Sequence, residues 1–189
     1  MKIRLDLLLA LGLLAACRDE QAAAPEPVAM TAEAVGFYCQ MNLLEHPGPK
    51  AQIHLKDGIA PLFFSQVRDA IAYQRMPEQA AEIAAIYVSD MADASWDDPG
   101  AENWMALPDA LLVIDSNRAG GMGAPEIVPF SDEAAAQAYM AEYGGRLVRL
   151  DQIADADVLS AADKPNDHGA AEEGDYAARL RALAIPSEE

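Results

Sequence analysis

The chain has 189 residues, with 13 Lys and Arg against 31 Asp and Glu, and a formal net charge of -18. This excess of negative charge repels phosphate backbones and anionic headgroups, which excludes nucleic acid as a partner and a purely electrostatic membrane association. With only 2 cysteines, a disulfide-built scaffold is excluded as well.

At the amino terminus, Lys2 and Arg4 precede an apolar run, Leu7 to Ala16, that stops at Cys17. About ten residues cannot span a bilayer, which takes roughly twenty. A charged start, a short apolar run and small residues before a cut describe a signal peptide over residues 1–16. The sequence "LLAAC" resembles a bacterial lipobox. That resemblance implies cleavage before Cys17, with diacylglycerol on its sulfur and an acylated amine, so Cys17 is the expected lipidation site. Two or three acyl chains anchor stably, so the protein is expected to be membrane-anchored and to face the periplasm. Residues 17–32, rich in Ala, Pro and acidic side chains, read as a flexible tether.

The segment "AQIHLKDGIAPLFF" alternates apolar and polar residues about Asp57-Gly58, and predicts strands near 51–56 and 59–64 joined by a tight turn. "SQVRDAIAYQRM" has helical spacing from Val67, with Ser65 as N-cap and Pro77 as the stop. "EIAAIYVSD" predicts a strand near 83–89. A linker with Pro99 and Gly100 leads to a second series: strand "ALLVIDSNR", glycine-rich turn "GGMGAPE", strand "IVPF", helix "SDEAAAQAYMAEYGG" capped by Ser131 and ended by Gly144-Gly145, and strand "RLVRLD". Phe64-Ser65 and Tyr73 align without a gap on Phe130-Ser131 and Tyr139. The expected fold class is therefore α+β, with two duplicated β-β-α-β units at 33–92 and, with the linker, 93–159. Residues 160–189 form an acidic tail with a short helical pattern, "YAARLRALAI", expected to be peripheral.

The chemistry lies in "VGFYCQMNLLEHPGPKAQIH". With Cys17 acylated, Cys39 is the one cysteine left as a thiol, and Met41 follows two residues on. On an extended segment a period of two puts both sulfurs on one face. A thiolate and a thioether form a soft donor pair that suits Cu(I), whereas magnesium and calcium prefer oxygen and zinc seldom takes a thioether. A third sulfur is expected from Met122 in "RAGGMGAPE", where flanking glycines allow close backbone approach. His46, ahead of a stiff Pro-Gly-Pro turn, reads as a donor or as a residue that steadies one. Met76, Met91, Met105 and Met140 read as packing side chains, His54 as structural and His168 as solvated. Because metal displaces the thiol proton, affinity is expected to rise with pH. Phosphate loops, paired carboxylates and a Ser-His-Asp order are all lacking, so the chain is expected not to be an enzyme.

"CQM…EHPGPKAQIHLKDG", "VRDAIAY", "IAAIYVSDM" and "GGMGAPEIVPF" together resemble the NosL family over nearly all of residues 35–159. The resemblance implies a Cu(I) chaperone that delivers copper to apo nitrous oxide reductase for its copper-sulfide centre, by way of an ABC-type Nos transporter complex in the inner membrane. It implies a fold shared with one domain of organomercurial lyases. It also matches Cys39, Met41 and Met122 to copper donors and His46 to a histidine serving a neighbouring second metal. Two readings stand beside it: a structural lipoprotein without metal, and an organomercurial-lyase-like enzyme, against which the lone thiol argues.

Overall fold

A computed structural model describes residues 23–77 and 79–159. The expected signal peptide, Cys17, His168 and the acidic tail lie outside the described residues. Two antiparallel sheets carry the fold. The first has strands β1 (Ala51–Leu55), β2 (Leu62–Phe64), β3 (Ile83–Ser89) and β4 (Trp104–Ala106), in the order β2-β1-β3-β4. The second has β5 (Leu111–Ile114), β6 (Val128–Phe130) and β7 (Arg146–Val148), in the order β6-β5-β7. Helix α1 (Val67–Arg75) follows β2, and α2 (Glu133–Tyr143) follows β6. Each unit therefore runs β-β-α-β with its first strand in the centre. The repeat extends to side chains: the rings of Phe64 and Tyr73 lie 5.7 Å apart, and those of Phe130 and Tyr139 lie 5.4 Å apart.

The alternation of apolar residues decides how the units share a core. On β5, Leu112 and Ile114 join the large cluster of Ile53, Phe64, Val67, Ile71 and Val88, while Val113 turns the other way, to Phe130 and Ala136 under α2. One face of the second sheet thus belongs to the first unit's core. A short helix α3 (Asp155–Leu159) closes this side, where Arg75 reaches Asp155 at 2.7 Å and the carbonyls of Leu150 and Ile153 at 3.3 Å each.

Several local expectations shift. Gln66 rather than Ser65 is the N-cap of α1, and it makes no side-chain capping bond. Asp132 rather than Ser131 caps α2, accepting from the Ala135 amide at 2.9 Å, while Ser131 is bonded instead to Asp90. Gly144, at φ 70°, ends α2 as expected. The linker contributes an edge strand, β4, that three residues with no alternation could not announce.

The tether expected over 17–32 ends earlier, because residues 25–30 lie against the first sheet. Gln52, fully buried on β1, accepts from the Val28 amide and donates to the Val28 carbonyl, both at 2.9 Å. Tyr87 on β3 donates to the Pro25 carbonyl at 2.7 Å, and Met30 is buried with its amide on the Ala101 carbonyl. The polar face of β1 is thus covered by backbone that needs polar partners. His54 belongs to the same layer: its Nε2 lies 2.8 Å from Gln52 Oε1, its ring packs edge-on to Tyr87, and burial lowers its pKa. Met91 is buried, and Met105 and Met140 pack against the two cores, as read from sequence. Among the described residues no helix is long and apolar enough to cross a membrane.

Candidate metal centre

Residues 34–43 fold back on themselves. The Gly36 amide donates to Met41 O at 2.9 Å, Gln40 N to Gly36 O at 2.8 Å, and Leu43 N to Ala34 O at 3.0 Å. The Phe37 amide, bonded to Phe63 O at 2.6 Å, lays this loop along edge strand β2. Phe37 and Tyr38 then pack on Phe64 and Tyr73, with ring centroids 5.4 to 6.5 Å apart. Cys39, a free thiol of intermediate exposure, sits in the turn. Its sulfur lies over the backbone of Gly36, where an added methyl would stand 2.5 Å away.

Cys39 and Met41 are therefore not on an extended segment, and the period-two argument for their sulfurs does not apply. Gln40 between them has φ 56°, a left-handed conformation that costs a residue with a Cβ on the order of 1 kcal/mol. Its own amide offsets that cost by donating to Phe37 O at 2.7 Å and Gly36 O at 3.3 Å. The cause of the turn is the aromatic pair ahead of Cys39, which can reach Phe64 and Tyr73 only if the chain doubles back. Met41 is left 43% exposed.

In the second unit, residues 119–125 form a small hairpin. Ala119 bridges Pro125, Gly120 N donates to Ala124 O at 2.9 Å, and Gly123 N donates to Gly120 O at 2.8 Å. Met122 stands at the tip, also 43% exposed. Arg118 steadies the base, its guanidinium 4.0 Å from the centroid of the Trp96 ring and 4.7 Å from that of Tyr143. The hairpin tip rests on the first unit: a methyl on Gly121 would stand 2.8 Å from both His46 Cβ and Pro47 O. The turn bearing Met122 thus meets the loop that follows Cys39 and Met41. His46 Nε2 is buried there with no hydrogen-bond partner among the described residues.

Two buried ionisable groups flank this seam. Lys50, 1% exposed, donates through Nζ to Gly48 O at 2.5 Å and Pro47 O at 3.2 Å, which stiffens the Pro-Gly-Pro turn. Burial pulls its pKa down to about 8, with Glu126 and Cys39 opposing the fall. Glu126 is pushed up to about 8 by burial, against the stabilising bonds it receives from the Ile127 and Arg68 amides, so its carboxyl is mainly uncharged at neutral pH. Neither residue stands out in the sequence, since a lone charge in a polar-looking turn carries no sign of burial.

The donor chemistry at the seam is narrow. Among the described residues, no three His, Cys, Asp or Glu side chains converge. The candidate donors on the loops that meet here are the Cys39 thiol, the exposed Met41 and Met122 thioethers and the His46 imidazole, of which the three sulfurs are soft. Cys39 and Met41 share one loop, and the Gly121 contact brings the Met122 turn against His46.

The NosL family model matches residues 27–158. The chain is 53% identical over 192 residues, 99% of each, to the copper-binding lipoprotein NosL of Achromobacter cycloclastes. It is 31% identical over 160 residues, 84% of this chain and 82% of the relative, to the copper-binding lipoprotein NosL of Stutzerimonas stutzeri. The crystal structure of the copper chaperone NosL from Shewanella denitrificans superposes with a TM-score of 0.65 at 30% identity, covering 69% of this chain and 97% of that one.

Proposed function

The chain belongs to the NosL family, and on that premise we propose that it is a membrane-anchored Cu(I) chaperone that supplies apo nitrous oxide reductase during assembly of its copper-sulfide centre. Copper is cargo, held by Cys39, Met41 and Met122 with His46 beside them, and no bond of the cargo is made or broken other than to its donors. The observation that supports this reading is the close approach of Gly121 to His46 and Pro47, which brings the turn bearing Met122 to the loop that follows Cys39 and Met41. On loading, Cys39 gives up its proton to solvent and its sulfur takes the ion. On release the recipient's donors replace these sulfurs in turn, and Cys39 takes a proton back. Exposed thioethers suit this exchange, because an incoming donor can approach while the ion is still held. The anchor is the acylated Cys17, and the partners are the reductase and the ABC-type Nos transporter complex at the membrane.

The test is anaerobic Cu(I) titration against a competing chelator. The parent should outcompete it at one equivalent, and Cys39→Ser, Met41→Leu and Met122→Leu should each lose affinity, Cys39→Ser most. Failure of the parent to take copper removes the carrier role. Transfer to apo reductase, followed by recovery of its activity, tests the recipient, and mass spectrometry of Cys17→Ala against the parent tests the lipid.

A further inference from the structure

A carboxyl that copper chemistry does not use stands behind the Met122 hairpin. Glu126, 2% exposed, directly follows that hairpin in the second unit, yet its Oε1 accepts from the first-unit amides of Val67 at 3.1 Å and Arg68 at 3.4 Å, as well as from Ile127 at 2.9 Å. These are the opening amides of α1, whose own cap residue, Gln66, makes no side-chain capping bond to them. Gln66 turns instead to the hairpin, and its amide donates to Ala124 O at 3.4 Å. Gly120, which opens the turn, is pressed between the two: a methyl there would stand 2.5 Å from Glu126 Oε2 and would overlap the Gln66 amide. The missing cap of one unit is thus supplied by the other, at the root of the loop that carries a sulfur.

We propose that Glu126 is a positioning residue for the Met122 thioether: by accepting the Val67 and Arg68 amides it clamps the 119–125 hairpin onto the first unit and holds Met122 against the His46 loop. The proposal rests on Met122 being a copper donor, so its test has one arm that needs copper and one that does not. A carboxylate is not required for the clamp, only an acceptor of the same shape, which separates this role from a direct electrostatic effect on the ion.

The copper-free arm is hydrogen exchange of the full chain. Glu126→Leu should speed exchange of the Gly120 and Gly123 amides at least tenfold and leave β1 and β3 unchanged, whereas Glu126→Gln should match the parent. The copper arm is chelator competition with a sulfur count from X-ray absorption. Glu126→Leu should weaken Cu(I) binding about tenfold and lose one sulfur, Glu126→Gln should stay within twofold, and adding Glu126→Leu to Met122→Leu should produce no further loss. Should Glu126→Leu not fold, Gln66→Ala, which removes the bond to Ala124 and a buried side chain beside Gly120, should give the same pattern at a few-fold loss. Parent-like exchange in the hairpin of Glu126→Leu overturns the clamp, as does a loss fully additive with Met122→Leu. If the parent binds no copper but the hairpin loosens in Glu126→Leu, the clamp stands and the carrier reading falls.

Discussion

Gly121→Ala is a single methyl placed where the two units touch. It would stand 2.8 Å from His46 Cβ and from Pro47 O, whereas carbon contacts settle near 3.5–4.0 Å, so the loops must part by about 1 Å. The first-unit side cannot yield, because Pro47 and Gly48 carbonyls are both held by the buried Lys50 ammonium. The Met122 turn must retreat. Overpacking of this kind costs about 1–3 kcal/mol, and if the loaded state bears about 1.4 kcal/mol of it, Cu(I) affinity falls about tenfold. Chelator competition under anaerobic conditions measures that fall directly. Gly123→Asn is the control: its position has φ 77° and open space within 4 Å, and Asn tolerates the left-handed region, so affinity should be unchanged. A folded Gly121→Ala protein that binds Cu(I) like the parent would refute the argument that this contact places the thioether.

Stability should depend on pH through the two buried ionisable groups. The folded chain keeps the Glu126 proton up to about 8, while an unperturbed carboxyl releases it near 4.5, so thermal stability falls as pH rises across that window, by at most about 1.4 kcal/mol per pH unit; Glu126→Gln should flatten the fall. Lys50 acts higher and in the opposite sense: its folded pKa of about 8 lies below its ordinary 10.5, so its share of stability climbs between those values, and Lys50→Met should remove the climb. Gln52→Ala removes both bonds to Val28, so limited proteolysis should cut before Met30 far faster than in the parent, with a stability loss of about 1–3 kcal/mol. Asp132→Ala should lower stability by about 1 kcal/mol through the lost helix cap, a difference visible in urea unfolding midpoints.

The elements that sequence disclosed are those with a period. The strand near 83–89 is observed at Ile83–Ser89, and the Phe-to-Tyr spacing of the two helix entries reappears as the same ring contact in both units. What stayed hidden depends on partners remote in sequence. The turn at Gln40 follows from Phe37 and Tyr38 reaching Phe64 and Tyr73, and the cap of α1 comes from Glu126 across the unit boundary. Gln52 looks like part of a solvated strand face until the amino-terminal segment is laid over it, whereas His54, read as structural, is buried beside it. At the candidate site, the soft residue types and the glycines were legible, and the closeness that Gly121 permits was foreseen in kind. The buried Lys50 and Glu126 were not, since burial of a charge is set by the whole fold.

The strip from Pro25 to Met30 pressed on the first sheet also sets a leash. Only eight peptide steps separate Cys17 from Pro25, and at about 3.3–3.6 Å each they reach no farther than roughly 30 Å in any arrangement, about the thickness of a bilayer's hydrocarbon interior. If Cys17 is acylated, the folded body patrols a shallow layer above the lipid. A receiver of its cargo then has to come down to that layer or be embedded beneath it.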